Sequence, residues 1–249
     1  MAEIAALQTL LRDVTKAAID SLAGSTDRLG SGEREGQYAL DLLVDGPLVY
    51  SLLEAGLGVL SEEAGILEPE RELIAIVDPV DGSTNASRGI PWFATSICVV
   101  DDDGPLLAIV ENHVTRERFE AVRGGGATRN DVALASPGKG SIADGVVGVN
   151  GAPPNDGPWA QFRTLGASAL DISYVAMGAL DAYVDFADEA HGIWDYAGAQ
   201  LVCQELGAHI VDAFDRPLVH RSYGERRTPV VARDVETLEL LLELRRRGS

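Results

Sequence analysis

Lysine is almost missing from this chain of 249 residues: Lys16 and Lys139 are the only two, and the other 18 of its 20 bases are arginines. Positive charge is scarce altogether, because 39 acids leave a formal net charge of −19. A surface of that sign repels nucleic-acid phosphates, which excludes a nucleic-acid partner and disfavours any anion site built without metal cations. An acidic, lysine-poor chain is what a halophilic protein kept soluble in concentrated salt looks like; a GC-rich genome also exchanges lysine for arginine. Cysteine is scarce too. Cys98 in ATSICVV and Cys203 in AQLVCQELG lie far apart inside apolar runs, which reads as two buried free thiols in a reducing cytoplasm, with no disulfide framework. Long uncharged runs are lacking, and no stretch reaches the roughly 20 apolar residues a membrane span needs. The start, MAEIAALQTLLRDVTK, carries acids early and reads as an amphipathic helix, so a cytoplasmic protein with no membrane partner is expected.

With 46% apolar and 24% charged residues, the chain is long enough for one large domain or two intimate halves around a proper core. Helical spacing over 4–23 is broken by GSTDRLGSGEREG at 24–36, which reads as a loop. Helical spacing resumes from Tyr38 to about Leu60, interrupted near Gly46-Pro47. Strands are expected at 73–77, 93–100 and 105–114, the last two forming a hairpin through Asp101-Asp102-Asp103-Gly104. A further strand over 118–131 runs into a Gly-rich turn, and the weakly patterned segment 131–160 holds at most a strand at 145–149. The spacing predicts helices over 168–177 and 194–206, a strand over 179–186, and a terminal helix at 235–247 whose arginines complement its dipole. Strands and helices alternate without a repeat, so the class is mixed α/β.

The sharpest local signal is LIAIV-Asp78-Pro79-Val80-Asp81-Gly82-Ser83-Thr84-Asn85, where a buried strand ends in two acids and runs into a helix start. A turn at Asp78-Pro79 would aim both carboxylates and the Val80 carbonyl at one point, supplying the hard oxygens Mg²⁺ prefers. The amides of Gly82, Ser83 and Thr84 would then sit at a helix N-terminus suited to phosphate. The same string also fits an ordinary Asx-Pro turn with Asp81 as a helix cap. Glu62 and Glu63 upstream fit solvated loop acids, and Asp195 in GIWDYAG fits a cap for the helix through Leu206. An EF-hand beginning at Asp78 is excluded, since its twelfth position falls on Gly89. A P-loop and a GxSxG elbow are absent.

In order and spacing, Glu62-Glu63-Ala64-Gly65, then DPVDGST, then Trp194-Asp195-Tyr196-Ala197-Gly198 resemble the signature of the inositol monophosphatase family. The likeness runs through Asp41, the Gly124-Gly125-Gly126-Ala127 turn with Asn130, LGASAL at 165–170 and the strand before WDYAG. NASRGIP at 85–91 looks like the archaeal branch, whose members often hydrolyse both inositol 1-phosphate and fructose 1,6-bisphosphate.

The resemblance implies a layered αβαβα fold, a site shared by halves at roughly 1–130 and 131–249, and a homodimer. It assigns Glu62, Asp78 and the Val80 carbonyl to one Mg²⁺, and Asp78, Asp81 and Asp195 to a second, with a third, weaker ion near Glu62. The attacking water would be oriented by Glu62 and by a Ser83 hydroxyl paired with Asp41, with no covalent intermediate. Ala167, Ser168, Asp185 and Arg163 are the candidates for substrate contacts, although Asp185 also fits a solvated strand end and Arg163 a surface ion pair. Ser83 replaces the Thr of many members, the segment 131–160 is shorter than in many, and Asp188-Glu189-Ala190 is an insertion before Trp194. Other readings are a 3′-phosphoadenosine 5′-phosphate or NADP phosphatase, whose usual Lys-Glu is here Thr84-Asn85, and a non-catalytic metal-binding relative. Against the last, every proposed metal ligand is present.

Overall fold

The computed structural model describes residues 2–23, 39–155 and 157–247. Helices α1 (Ala2–Ala23) and α2 (Ala39–Glu54) form the outermost layer. Next comes a sheet built from β1 (Gly58–Ser61), β2 (Gly65–Leu67), β3 (Ile74–Asp81), β4 (Ala94–Asp101), β5 (Gly104–Asn112), β6 (Arg118–Val122), β7 (Gly126–Arg129) and β8 (Val132–Ala133), with the short helix α3 (Ser83–Arg88) after β3. Its order is β2-β1-β3-β4-β5-β6-β7-β8. A second sheet holds β9 (Val146–Asn150), β10 (Gln161–Arg163), β11 (Ala182–Asp185), β12 (His209–Asp212) and β13 (Pro229–Ala232), in the order β10-β9-β11-β13-β12. Helices α4 (Ser168–Ala176) and α5 (Ala197–Leu206) lie between the sheets, and α6 (Val235–Arg247) covers the far side.

The apolar run in β3 shows why the layers stack this way. Ile74 and Ile76 pack with Ala169, Ile172, Leu201 and Val202 of α4 and α5, while Ala75 and Val77 pack with Val44, Leu48 and Leu52 of α2. A strand buried on both faces has no polar side to show, so its residues read as a continuous apolar run. On the second sheet, Val147, Val149, Val184 and Val230 meet Leu238 and Leu241 of α6. Gly198 lets α5 lie close on the first sheet, since a Cβ there would stand 2.8 Å from the Ser96 hydroxyl. The arrangement is the expected αβαβα stack, and Cys98 and Cys203 are buried free thiols within it. No helix among the described residues is long and apolar enough to cross a membrane.

Several local expectations are corrected. The helical reading over 38–60 splits into α2 and the strand β1, and α2 runs through Pro47 without a break. Pro47 and Leu43 are both exposed, so the hydrogen bond that proline removes faces water, where the cost is small. β2, β10, β12 and β13 are additional short strands. Arg245 does not simply complement the α6 dipole. It is 4% exposed and donates from Nε to the Asp185 carbonyl at 2.8 Å. The loop read at 24–36 lies outside the described residues.

His113 gives the fold a predicted acid sensitivity. It is 9% exposed, its Nε2 pairs with the Thr95 hydroxyl at 2.8 Å, and burial, aided by the Arg116 charge, pushes its pKa down to about 3. An unfolded histidine titrates near 6.5, so unfolding takes up a proton below that pH while the folded state does not. The stability present above pH 6.5 is therefore lost as pH falls toward 3, by roughly 2 kcal/mol at pH 5. Urea melts at pH 7 and pH 5 should show a smaller loss in His113→Gln than in wild type; equal losses would refute the assignment. A second expectation follows from the charge of −19: self-repulsion screened by salt should make the melting temperature climb between dilute buffer and molar KCl. A flat response would leave the acidity as mere composition.

Candidate active site

The pairing of β3 with β4 is offset where the acids lie. Asp78 opposes Ser96 and Asp81 opposes Ala94, so three steps along β3 match two along β4. Residues three apart on a regular strand face opposite ways; the extra residue of a bulge offsets this, and here it brings the Asp78 and Asp81 charges to bear on one another. The expected turn at Asp78-Pro79 is thus a bulge inside a strand that continues to Asp81. Pro79 has no N–H to give the ladder, which suits it to a bulge, and its carbonyl accepts from the Thr95 hydroxyl at 2.8 Å. The Val80 N–H donates to Asp78 Oδ1 at 3.0 Å and fixes that carboxylate.

Glu62 follows β1, with its N–H donating to the Val77 carbonyl at 3.1 Å and its carbonyl accepting from the Tyr223 hydroxyl at 2.7 Å. Asp195 ends a short 3-10 turn, Ile193–Asp195, and does not cap α5, which starts at Ala197 after Tyr196. Its carboxylate instead joins those of Glu62 and Asp78, one oxygen from each lying within 4.8 Å of the others. Burial first, then the charges of Asp195, Glu63, Asp41 and Asp81, push the pKa of Glu62 up to about 9. Asp78 is raised well above the usual carboxylate range by burial and then by Glu62, Asp81, Asp195 and Asp41. Such a cluster needs protons or a cation. Its donors are all hard oxygens, which fits Mg²⁺ and not a soft metal.

Asp81 stands slightly apart. Its Oδ1 and Oδ2 accept from the N–H groups of Ser168 and Ala169 at 3.2 and 2.8 Å, which fastens the start of α4 to the end of β3. Those amides therefore serve Asp81. Burial and then Asp195 raise its pKa, against the opposing pull of the Ala169 N–H. Gly82 follows at φ 84°, and a Cβ on it would stand 2.9 Å from the Gly166 carbonyl, so only glycine makes this corner without strain. Ser83 then opens α3, half-buried, while Thr84 is exposed. Asp41 is buried on α2 and its charge reaches Glu62 and Asp78.

A cavity of about 220 Å³ opens beside the cluster, with Asp81 and Asp195 in its wall together with Asn150, Thr164, Ala167, Ser168 and His191. Two sequence candidates stay out of it. Arg163 is exposed on the sheet-edge strand β10 and donates to the Phe162 carbonyl and the Gln161 side chain; its neighbour Thr164 is the residue that reaches the cavity. Asp185 is 0% exposed and lies behind His191, where its Oδ1 accepts from Asn150 at 2.9 Å and from the Ala187 N–H at 2.8 Å. It is a buried acceptor and neither a solvated strand end nor a cavity wall.

Sequence analysis gave no histidine a role and so missed His191. Its Nδ1 is 3.3 Å from Asp195 Oδ2, and its Nε2 is 3.0 Å from the Tyr183 hydroxyl and 3.4 Å from Asp185 Oδ2. Burial opposes its charging, but the hydrogen bond and charge of Asp195, then the charges of Asp185 and Asp81, outweigh this and raise its pKa. Its position four residues before Asp195 and beside the insertion was the signal available.

The profile of the inositol monophosphatase family matches residues 4–248. The chain is 32% identical over 221 residues to a fructose-1,6-bisphosphatase of Pyrococcus furiosus, covering 82% of each. It is 28% identical over 201 residues, 78% of each, to a fructose-1,6-bisphosphatase/inositol-1-monophosphatase of Methanocaldococcus jannaschii. A solved structure of a hypothetical protein from Pyrococcus horikoshii with similarities for inositol-1 monophosphatase superposes with a TM-score of 0.83 at 24% identity, covering 94% of this chain and 97% of that one. With the αβαβα stack and the three acidic motifs brought to one corner of it, these matches place the chain in the inositol monophosphatase family, on its archaeal branch, as a phosphoric monoester hydrolase.

Proposed function

We propose that the protein is a Mg²⁺-dependent phosphatase of small sugar and polyol phosphates, such as inositol 1-phosphate and fructose 1,6-bisphosphate, working as a cytoplasmic homodimer. The observation that carries this reading is the convergence of Glu62, Asp78 and Asp195, the last of which also lines the cavity. Glu62, Asp78 and the Val80 carbonyl would hold one ion, and Asp78, Asp81 and Asp195 another, with room in the family pattern for a third near Glu62. Bound there, Mg²⁺ supplies charge neutralisation to the phosphoryl group and acidifies water. Glu62 and the Ser83 hydroxyl orient the attacking water, with Asp41 acting through its charge on Glu62. The corner of Gly82, Ser83 and Thr84 receives phosphate oxygens, and the cavity by Ala167, Ser168 and His191 receives the polyol.

Phosphoryl transfer asks mainly for positioning and neutralised charge, and no nucleophilic side chain is required. Ser83 therefore matters through its hydroxyl. Ser83→Thr should turn over normally, whereas Ser83→Ala should lose on the order of 10²-fold in kcat; a phosphoserine trapped by rapid quench would overturn direct attack by water. Phosphate release with and without Mg²⁺ on inositol 1-phosphate, fructose 1,6-bisphosphate, 3′-phosphoadenosine 5′-phosphate and NADP tests the whole reading. Higher kcat/KM for the first two is expected, and a preference for either nucleotide would refute it.

A further inference from the structure

The three aspartates of the site each have a donor that aims the carboxylate, but the donors differ in kind. Asp78 accepts from the Val80 N–H and Asp81 from the Ser168 and Ala169 N–H groups, all of them backbone. Among the described residues, the Asp195 carboxylate has one hydrogen-bond partner, the His191 side chain, at 3.3 Å from Nδ1 to Oδ2. An aspartate in a short 3-10 turn beside two other carboxylates is pushed to rotate away from them. Something must hold it.

His191 is built to resist that push. Its N–H donates to the Arg227 carbonyl at 3.2 Å and its carbonyl accepts from the Arg227 N–H at 2.8 Å, so its backbone is fixed by a two-way bridge. The Glu189 N–H donates to the Thr228 hydroxyl at 3.0 Å just before it. On the far side of the ring, Nε2 lies 3.0 Å from the Tyr183 hydroxyl and 3.4 Å from Asp185 Oδ2, which holds the ring with Nδ1 facing Asp195. Tyr183 is itself 1% exposed. The loop is pinned from α6 as well, where Arg245 donates to the Asp185 carbonyl and pairs with Asp188.

Resting on the reading of Glu62, Asp78 and Asp195 as metal ligands, we propose that His191 is a positioning residue that holds the Asp195 carboxylate toward Glu62 and Asp78, so that the insertion at 188–190 and the C-terminal helix serve the metal site. The order of dependence runs from Arg245 through the 185–191 loop to the imidazole and then to Asp195. Residues that hydrogen-bond to metal ligands typically change metal affinity ~10–100-fold when removed.

Mn²⁺ titrated into the metal-free protein and followed by the electron spin resonance of the free ion tests this directly. His191→Ala should bind Mn²⁺ at least about tenfold more weakly than wild type. His191→Gln should do the same, because its amide reaches toward the Nε2 position, and it serves if the alanine variant does not fold. His191→Asn keeps an N–H donor near the Nδ1 position and should recover most of the affinity, which a merely structural loop role would not predict. Wild-type affinity in His191→Ala or His191→Gln, or an asparagine variant as weak as alanine, would overturn the positioning role. Wild-type protein that binds no Mn²⁺, or binds it equally in Asp78→Asn, would refute the metal site itself and this inference with it.

Discussion

Asp78→Asn will abolish turnover and at the same time raise the melting temperature of the metal-free protein. Asp78 is 1% exposed and has carboxylate oxygens of Glu62 and Asp195 within 4.8 Å. Burial and then the neighbouring charges of Glu62, Asp81, Asp195 and Asp41 all disfavour its ionised form, and among the described residues its one donor is the Val80 N–H. Without a cation, that charge is a cost to the fold. Asparagine keeps an oxygen for the Val80 N–H and removes the charge, so the chelated protein should gain about 1–2 kcal/mol. For a chain of this size that is a rise of roughly 2–8 °C. With Mg²⁺ present the order reverses, because only the wild type gains stability from binding the ion. Turnover should fall on the order of 10³-fold, since a carboxylate proposed to serve both ions would be lost. Melting in EDTA and in Mg²⁺, together with phosphate release, checks both halves. Near-wild-type activity would sink the assignment of Asp78, and a lower melting point in EDTA would show that its carboxylate holds the fold directly.

What the sequence revealed of this molecule depended on how local each signal was. β3, β4, β5 and α6 are set by their own apolar pattern and were legible at once. The split of α2 from β1 was not, because the apolar spacing through Leu57, Val59 and Leu60 satisfies a helix as well as a strand, and only the pairing of β1 with β3 decides it. β12 and β13 are four residues each and find each other across 16 intervening residues, so no local pattern announces them. At the site, the acids of β3 were legible as a pair, while their meeting with Glu62 and Asp195 came from the resemblance. Asp185 and Arg163 were misplaced because the facing of a strand-end residue depends on register, which put Thr164 and His191 in the cavity wall instead.

Asp81→Asn should fail differently from Asp78→Asn, although both lie on β3 and both lose a buried charge. Each oxygen of Asp81 is engaged by a backbone N–H from the first turn of α4, where a negative charge is also favoured by the helix dipole. Asparagine offers an oxygen to one of those donors and sets its own N–H₂ against the other. A buried donor left unsatisfied costs about 1–3 kcal/mol, to which the lost charge–dipole attraction adds. For Asp81 the unsatisfied N–H is expected to outweigh the relief of burial that governs Asp78, so the melting temperature in EDTA should fall. Catalysis should suffer in the same step, because the start of α4 sets Ser168, and Ala167 just before it, in the cavity wall and Asp81 stands beside Asp195 there. Turnover lower by at least roughly 10²-fold is expected even in saturating Mg²⁺. Opposite shifts of melting temperature in EDTA, upward for Asp78→Asn and downward for Asp81→Asn, are the decisive observation. Shifts of the same sign would mean that the two N–H bonds to α4 do not set the role of Asp81.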